Sequence, residues 1–274
     1  MFIECSDGVR IYVEEKGKGQ KCMFIHGGPG AWCENFKELA GEKFEKTFSM
    51  IYFDQRGCGR SEGNKNTDYS LDRLIDDIEE IRKKLGIKKL TLLAHSFGGI
   101  IAVKYAIKFK ENVDSLILMN VSLDMIDSLK NQLEQGMKLL NITKSYKDDD
   151  LFEEWNSVIT TLINKGEFYK FYYNKEESNR IVDNIDSRIG NRSMAEQAFS
   201  NNDYFKNYTY LTSEIEVPTL VITGREDYAI GPNHYKKFKF PNCKIEKIDG
   251  KHGIYIEQTD ELISAIKGWN VYKR

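Results

Sequence analysis

The apolar run Leu90-Thr91-Leu92-Leu93 ends abruptly in Ala94-His95-Ser96-Phe97-Gly98, and a second apolar run rich in small residues follows at once. This pattern predicts a buried strand, a very tight turn and a helix, with no polar linker between them. Small residues flank the turn because the two backbones approach closely there. A single serine, Ser96, is left at the apex. Strands that feed directly into helices belong to parallel sheets covered on both faces.

The rest of the chain repeats the alternation. Cys22 to Ile25 and Met50 to Phe53 read as buried strands. Leu71, Leu74, Ile75, Ile78, Ile81 and Leu85 form one apolar helix face, with Ser70 as N-cap and Gly86 as terminator. A helix over Gly98 to Ile107 is followed by a strand over Val113 to Met119. Strands over Val217 to Thr223 and Cys243 to Ile248 come later, the first followed by a helix over Asn233 to Phe238. A closing helix carries Leu262, Ile263, Ile266 and Trp269. At the start, Phe2 to Glu4 and Arg10 to Glu14 flank Ser6-Asp7-Gly8, a hairpin signal. Between Ser122 and Ser213 no buried parallel strand is predicted. Helices are predicted over Leu123 to Leu140, Asp149 to Asn164, Glu167 to Ile189 and Ser193 to Tyr204, and aromatics concentrate there. The expected architecture is α/β: a mostly parallel central sheet with helices on both faces. A core of residues 1–121 and 214–274 is interrupted by a helical cap over 122–213, whose inner aromatics line a substrate pocket.

A chain of 274 residues, 41% hydrophobic, is long enough for one such domain with an insertion. The net charge of -2 gives no reason to expect a nucleic acid or an acidic membrane surface as partner. Cys5, Cys22, Cys33, Cys58 and Cys243 are scattered and form no Cys-x-x-Cys pair. They predict reduced thiols in a cytoplasmic protein rather than disulfides or a zinc site. The N-terminus lacks the pattern of a signal peptide, and no apolar stretch is long enough to span a bilayer. No metal or organic cofactor is expected, because no histidine or carboxylate cluster has ligand spacing.

Ser96 has two distant partners. Asp227 and His252 each fall just beyond a predicted parallel strand, as Ser96 does, and open parallel sheets carry their functional loops at that edge. The order serine, acid, histidine is that of a hydrolytic triad: His252 takes the serine proton, and Asp227 orients the ring. Glu226 and Asp249 compete for the acid role; Asp227 is favoured by its place in the loop. His26-Gly27-Gly28-Pro29-Gly30 follows a strand and has almost no side chains to block its backbone. It lacks the Gly-Lys-Ser/Thr ending of a phosphate loop. It is expected to supply an oxyanion donor, the N–H of Gly28, beside the N–H of Phe97. His26 is expected to be structural. Asp54, Arg56 and Arg60, in Asp54-Gln55-Arg56-Gly57-Cys58-Gly59-Arg60-Ser61, are expected to form ion pairs that fix the neighbouring loops.

With Ala94 in place of the first glycine, Ala94 to Gly98 resembles the nucleophile elbow of the α/β-hydrolase family, and the resemblance extends over essentially the whole chain. Within that family, the His26–Gly30 and Asp54–Ser61 stretches resemble the proline iminopeptidases, which remove N-terminal residues from short peptides. The resemblance implies a serine hydrolase working through an acyl-enzyme on short peptides or amino-acid amides. A carboxylic-ester or lactone hydrolase with the same triad is the alternative. A non-catalytic ligand receptor is disfavoured by the intact triad. The resemblance also implies an acidic residue that holds the substrate's amine; Glu153, Glu154, Glu176, Glu177 and Glu196 are its candidates in the cap.

Overall fold

In the computed structural model, which describes residues 1–271, eight strands form one sheet. They are β1 (Phe2–Glu4), β2 (Arg10–Gly17), β3 (Gln20–Ile25), β4 (Phe48–Phe53), β5 (Leu90–His95), β6 (Val113–Met119), β7 (Thr219–Gly224) and β8 (Cys243–Ile248). Their spatial order is β1-β2-β4-β3-β5-β6-β7-β8. The first three in that order are antiparallel, with Phe2 opposite Tyr12 and Val13 opposite Phe53. From β4 to β8 every pairing is parallel. Ile25 pairs with Ala94, and Ala94 with Leu118. The strands therefore end level, and the loops after them share one edge.

The covering of the sheet explains its composition. Every residue of β4, β5 and β7 is buried, because helices lie on both faces. On one face pack Leu74, Ile75, Ile78 and Ile81 of the Leu71–Lys84 helix and Ile100, Ile101 and Val103 of the Gly98–Lys108 helix. The first of these helices is capped by Ser70 Oγ, which accepts from Arg73 N–H at 3.3 Å. The other face is covered by Leu262, Ile263 and Ile266 of the Thr259–Val271 helix and by Phe36, Ala40 and Phe44. These last three lie in a helical segment over 34–45 that the sequence did not predict. Outermost β8 has only one buried position.

The loop Asp54–Ser61 is fixed by ions, as expected. Arg60 Nε meets Asp54 at 2.7 Å, while Arg56, fully buried, binds Asp77 at 2.7 Å and Asp7 at 2.8 Å.

Between β6 and β7 the described chain is helical, chiefly over Met125–Leu139, Leu151–Asn164 and Glu176–Asp186. Leu129, Leu133, Val158, Leu162 and Phe171 give this region a small core of its own. The continuous helix predicted over Glu167 to Ile189 is broken. A short turn over Phe168–Phe171 is followed by non-helical residues before Glu176. The reason is tertiary: Tyr172 O accepts Gly253 N–H at 2.8 Å, and the N–H groups of Asn174 and Lys175 go to the Glu257 carboxylate. Ser193 to Tyr204 is likewise a short helix, Ser193–Gln197, followed by single turns, and Asn233 to Phe238 shortens to the turn His234–Lys237. Among the described residues no helix is long and apolar enough to cross a membrane.

Candidate active site

Ser96 follows β5 directly and adopts a left-handed backbone, φ 56°. Such a conformation is strained for a residue with a side chain and persists only when its surroundings enforce it. Ser96 N–H bonds Asn120 O at 3.2 Å, and Ser96 O accepts from Gly99 N–H at 3.0 Å and Ser122 N–H at 3.2 Å. Close packing enforces the turn too. A Cβ on Gly98 would lie 2.3 Å from Ile25 O, and one on Gly27 would lie 2.6 Å from Ser96 Cβ. Ala94 is accommodated, fully buried. The His26–Gly30 loop is thus pressed against the Ser96 side chain.

His252 and Asp227 meet. His252 Nδ1 is 3.1 Å from Asp227 Oδ1 and 3.2 Å from Oδ2, so the ring donates from Nδ1 and leaves Nε2 as an acceptor. Asp227 Oδ1 also accepts the backbone N–H groups of Ala229 at 3.1 Å and Ile230 at 3.0 Å. The rival acids stand elsewhere: Glu226 is exposed, and exposed Asp249 pairs with Arg225 at 2.6 Å. Ser96, His252, Gly27 and Gly28 all line one cavity of about 240 Å³. Among the described residues no acceptor is found for the backbone N–H groups of Gly28 and Phe97. His26 also lines the cavity, but both ring nitrogens are engaged. Nε2 accepts from Gln55 N–H at 2.9 Å, and Nδ1 lies 3.0 Å from Gly27 O.

Three further residues shape the site and were not singled out from the sequence. Asn120, just past β6, accepts Gly224 N–H at 2.7 Å through Oδ1. Its Nδ2 donates to Lys251 O and His252 O, each at 2.9 Å. Asn120 therefore ties the ends of β6 and β7 to the His252 loop. Its positive φ of 46° is a signal only a structure reveals. His95 donates from Nε2 to His252 O at 3.1 Å, and its ring lies 4.5 Å from that of His252. Burial, reinforced by the neighbouring imidazole, holds His95 well below the usual histidine range, so it stays neutral.

The third is Asp186, the last residue of the Glu176–Asp186 helix, which lines the cavity with Val182 four residues earlier. Trp32 Nε1–H donates to Asp186 Oδ1 at 2.7 Å, and Asn35 Nδ2 approaches at 3.5 Å. Among the described residues no cation forms an ion pair with it. Burial lifts its carboxyl above the ordinary 3.8, and the Trp32 N–H and the charge of Arg192 draw it part of the way back. None of the glutamates weighed from the sequence lines the cavity: Glu154 pairs with Lys144, Glu176 with Arg180, and Glu153, Glu177 and Glu196 are exposed. The signal for Asp186 was its spacing, since Val182 and Asp186 share a helix face. Trp32, Tyr172, Tyr173, Val182 and Tyr255 supply much of the apolar wall. Among the described residues no group of three or more His, Cys, Asp or Glu side chains is placed to hold a metal ion.

The family model for the α/β hydrolase fold matches residues 23–259. A proline iminopeptidase of Saccharolobus solfataricus is 27% identical, over 95% of this chain and 88% of its own. The crystal structure of a proline iminopeptidase-related protein from Thermus thermophilus superposes with a TM-score of 0.81 at 21% identity, covering 98% of this chain and 95% of that one. An esterase from Exiguobacterium antarcticum superposes with a TM-score of 0.74 at 22% identity, covering 98% of each. Sequence, sheet order and relatives agree, and the chain belongs to the α/β-hydrolase family, as a hydrolase that resembles the proline iminopeptidases.

Proposed function

We propose that the protein is a serine aminopeptidase that releases the N-terminal residue of short peptides or amino-acid amides. Asp186 carries the reading. It is a carboxylate with no direct ion pair, Arg192 acting on it only through space, set in the cavity that also holds Ser96 and His252. A half-buried charge of this kind is costly unless something pairs with it, and a substrate ammonium is the matching group. The cavity is smaller than the roughly 300–1,000 Å³ of drug-sized sites, which suits a single residue on the acyl side.

The chemistry follows from the placements. Asp227 keeps the His252 proton on Nδ1, so Nε2 takes the Ser96 proton as Oγ attacks the carbonyl carbon. The oxyanion is received by the N–H groups of Gly28 and Phe97, each such donor being worth about 3 kcal/mol. His252 passes its proton to the leaving nitrogen, the C–N bond breaks, and the acyl group remains on Ser96. Water then attacks with His252 as base, releasing the acid and restoring the serine. Five free cysteines support a reducing, cytoplasmic setting.

Asp186→Asn tests the assignment, because its amide oxygen can still accept from Trp32. With free-amine prolyl and alanyl anilides, the loss of a charge-assisted contact of about 1.5–3 kcal/mol lowers kcat/KM about 10- to 150-fold. Hydrolysis of N-blocked esters stays near wild type. A variant that keeps the wild-type preference for free amines rules out the aminopeptidase reading and leaves the ester or lactone hydrolase.

A further inference from the structure

The helix that brings Asp186 to the cavity does not cap its own start. Lys175, at its N-cap position, makes no side-chain cap. The end is closed from the core by Glu257. Glu257 Oε1 accepts Lys175 N–H at 3.0 Å and the Ser178 hydroxyl at 2.7 Å. Oε2 accepts Asn174 N–H at 2.9 Å and its side-chain amide at 2.9 Å. Ser178 is the third helical residue. In a self-capped helix that position reaches back to the N-cap N–H itself; here a carboxylate 79 residues away in sequence stands between them. A negative charge at this end also suits the helix dipole.

Glu257 is the last residue of the short helix Ile254–Glu257, and Gly253 just before that helix donates its N–H to Tyr172 O. The segment following His252 therefore carries two attachments to the cap. At the far end of the Glu176–Asp186 helix the core holds Asp186 through Trp32. The helix is pinned at both ends, and only one pin is inside the cavity.

We infer that Glu257 is a positioning residue for substrate selection: by capping the cap helix from the core, it sets how far Asp186 enters the cavity that holds Ser96 and His252. The selectivity part of this inference rests on the amine-binding reading of Asp186. Glu257 does not itself line the cavity. An eleven-residue helix is roughly 16 Å long, so a tilt of about 5° at the capped end moves the other end by about 1.4 Å. Misplacement of about 1 Å can cost up to about 100-fold in a positioned interaction.

The test compares wild type, Glu257→Ala, Glu257→Gln, Asp186→Asn and the double variant Glu257→Ala/Asp186→Asn. Kinetics on alanyl anilide and on its N-blocked ester are combined with amide hydrogen exchange over residues 174–186. Glu257→Ala is expected to raise KM for the free amine roughly tenfold, to change kcat on the blocked ester less than twofold, and to lose protection at Asn174 and Lys175. Glu257→Gln, which keeps an acceptor for Lys175 and Ser178, recovers most of both. The alanine change adds nothing to the selectivity of Asp186→Asn. If Asp186→Asn lowers selectivity and Glu257→Ala does not, the inference is overturned while the amine reading stands. If Asp186→Asn leaves selectivity intact, the amine reading falls. Glu257 is then judged by exchange alone: wild-type protection at 174–186 in Glu257→Ala overturns the cap, and lost protection upholds it.

Discussion

Asp227→Asn isolates the tautomer of His252. Asp227 is 1% exposed and serves two sets of donors. Its Oδ1 holds the N–H groups of Ala229 and Ile230, at 3.1 and 3.0 Å, and His252 Nδ1 faces both oxygens, 3.1 Å from Oδ1 and 3.2 Å from Oδ2. In an asparagine, the amide oxygen must stay with the two backbone donors, which have no other acceptor. The amide NH2 then falls at the Oδ2 position and donates to Nδ1. His252 is forced to carry its proton on Nε2, so a donor faces the serine where an acceptor is needed. The expected loss is about 10⁴ in kcat, about 5.5 kcal/mol, with the fold unharmed because both backbone bonds survive. Asp227→Ala strips the acceptor from two buried N–H groups and adds a stability loss of about 1–3 kcal/mol for each. The assays are kcat on an activated ester, the rate of fluorophosphonate labelling at Ser96, and urea denaturation. Glu226→Gln and Asp249→Asn serve as controls and stay within about twofold of wild type, both side chains facing solvent. Activity of Asp227→Asn within tenfold of wild type, in a protein of unchanged stability, refutes the reasoning.

Asp186→Asn should stabilise the protein at neutral pH while impairing it. Burial raises this carboxyl above 3.8, so the folded state holds the proton more tightly than the unfolded one. That contribution is complete below about pH 4 and is lost as pH rises through the folded value; thermal melts should show the variant gaining on wild type over that window and equal to it below. Asn120→Ala leaves Gly224 N–H without its acceptor, removes a donor from His252 O, and places alanine at a φ of 46°. A loss of about 2–4 kcal/mol by urea denaturation and about 10- to 100-fold in kcat is expected, with KM little changed. Arg56→Ala leaves buried Asp77 with Arg73, at 2.9 Å, as its remaining cation and should cost about 1.5–3 kcal/mol. Because Arg56 is outside the cavity, kcat measured well below the lowered midpoint should persist; a denaturation midpoint equal to wild type contradicts the ion-pair account.

The sheet was legible because it depends on local pattern. A strand covered on both faces has to be apolar throughout, and β4, β5 and β7 are. Once those strands are placed, the residues following them converge whatever their separation in sequence, which is why Asp227 and His252 could be named as partners. The helical stretch between β6 and β7 obeys a different logic. Phe168 to Asp186 has helical composition throughout, and the break at Tyr172–Lys175 is made by Gly253 and Glu257, about 80 residues further on. Local propensity holds no trace of a partner that far away.

Asp186 shows the same limit from the side of function. Five acidic residues stand from Glu176 to Glu196, and composition reads all of them as solvated. One differs because its helix is held at both ends, by Glu257 outside the cavity and by Trp32 within it. The helix face shared by Val182 and Asp186 is then turned into the site rather than toward water. Such a charge weakens the fold at neutral pH, so its position has to be maintained by contacts elsewhere. The hydrogen bonds to Glu257 are those contacts, and they link the segment that follows His252 to the helix that carries the proposed amine anchor.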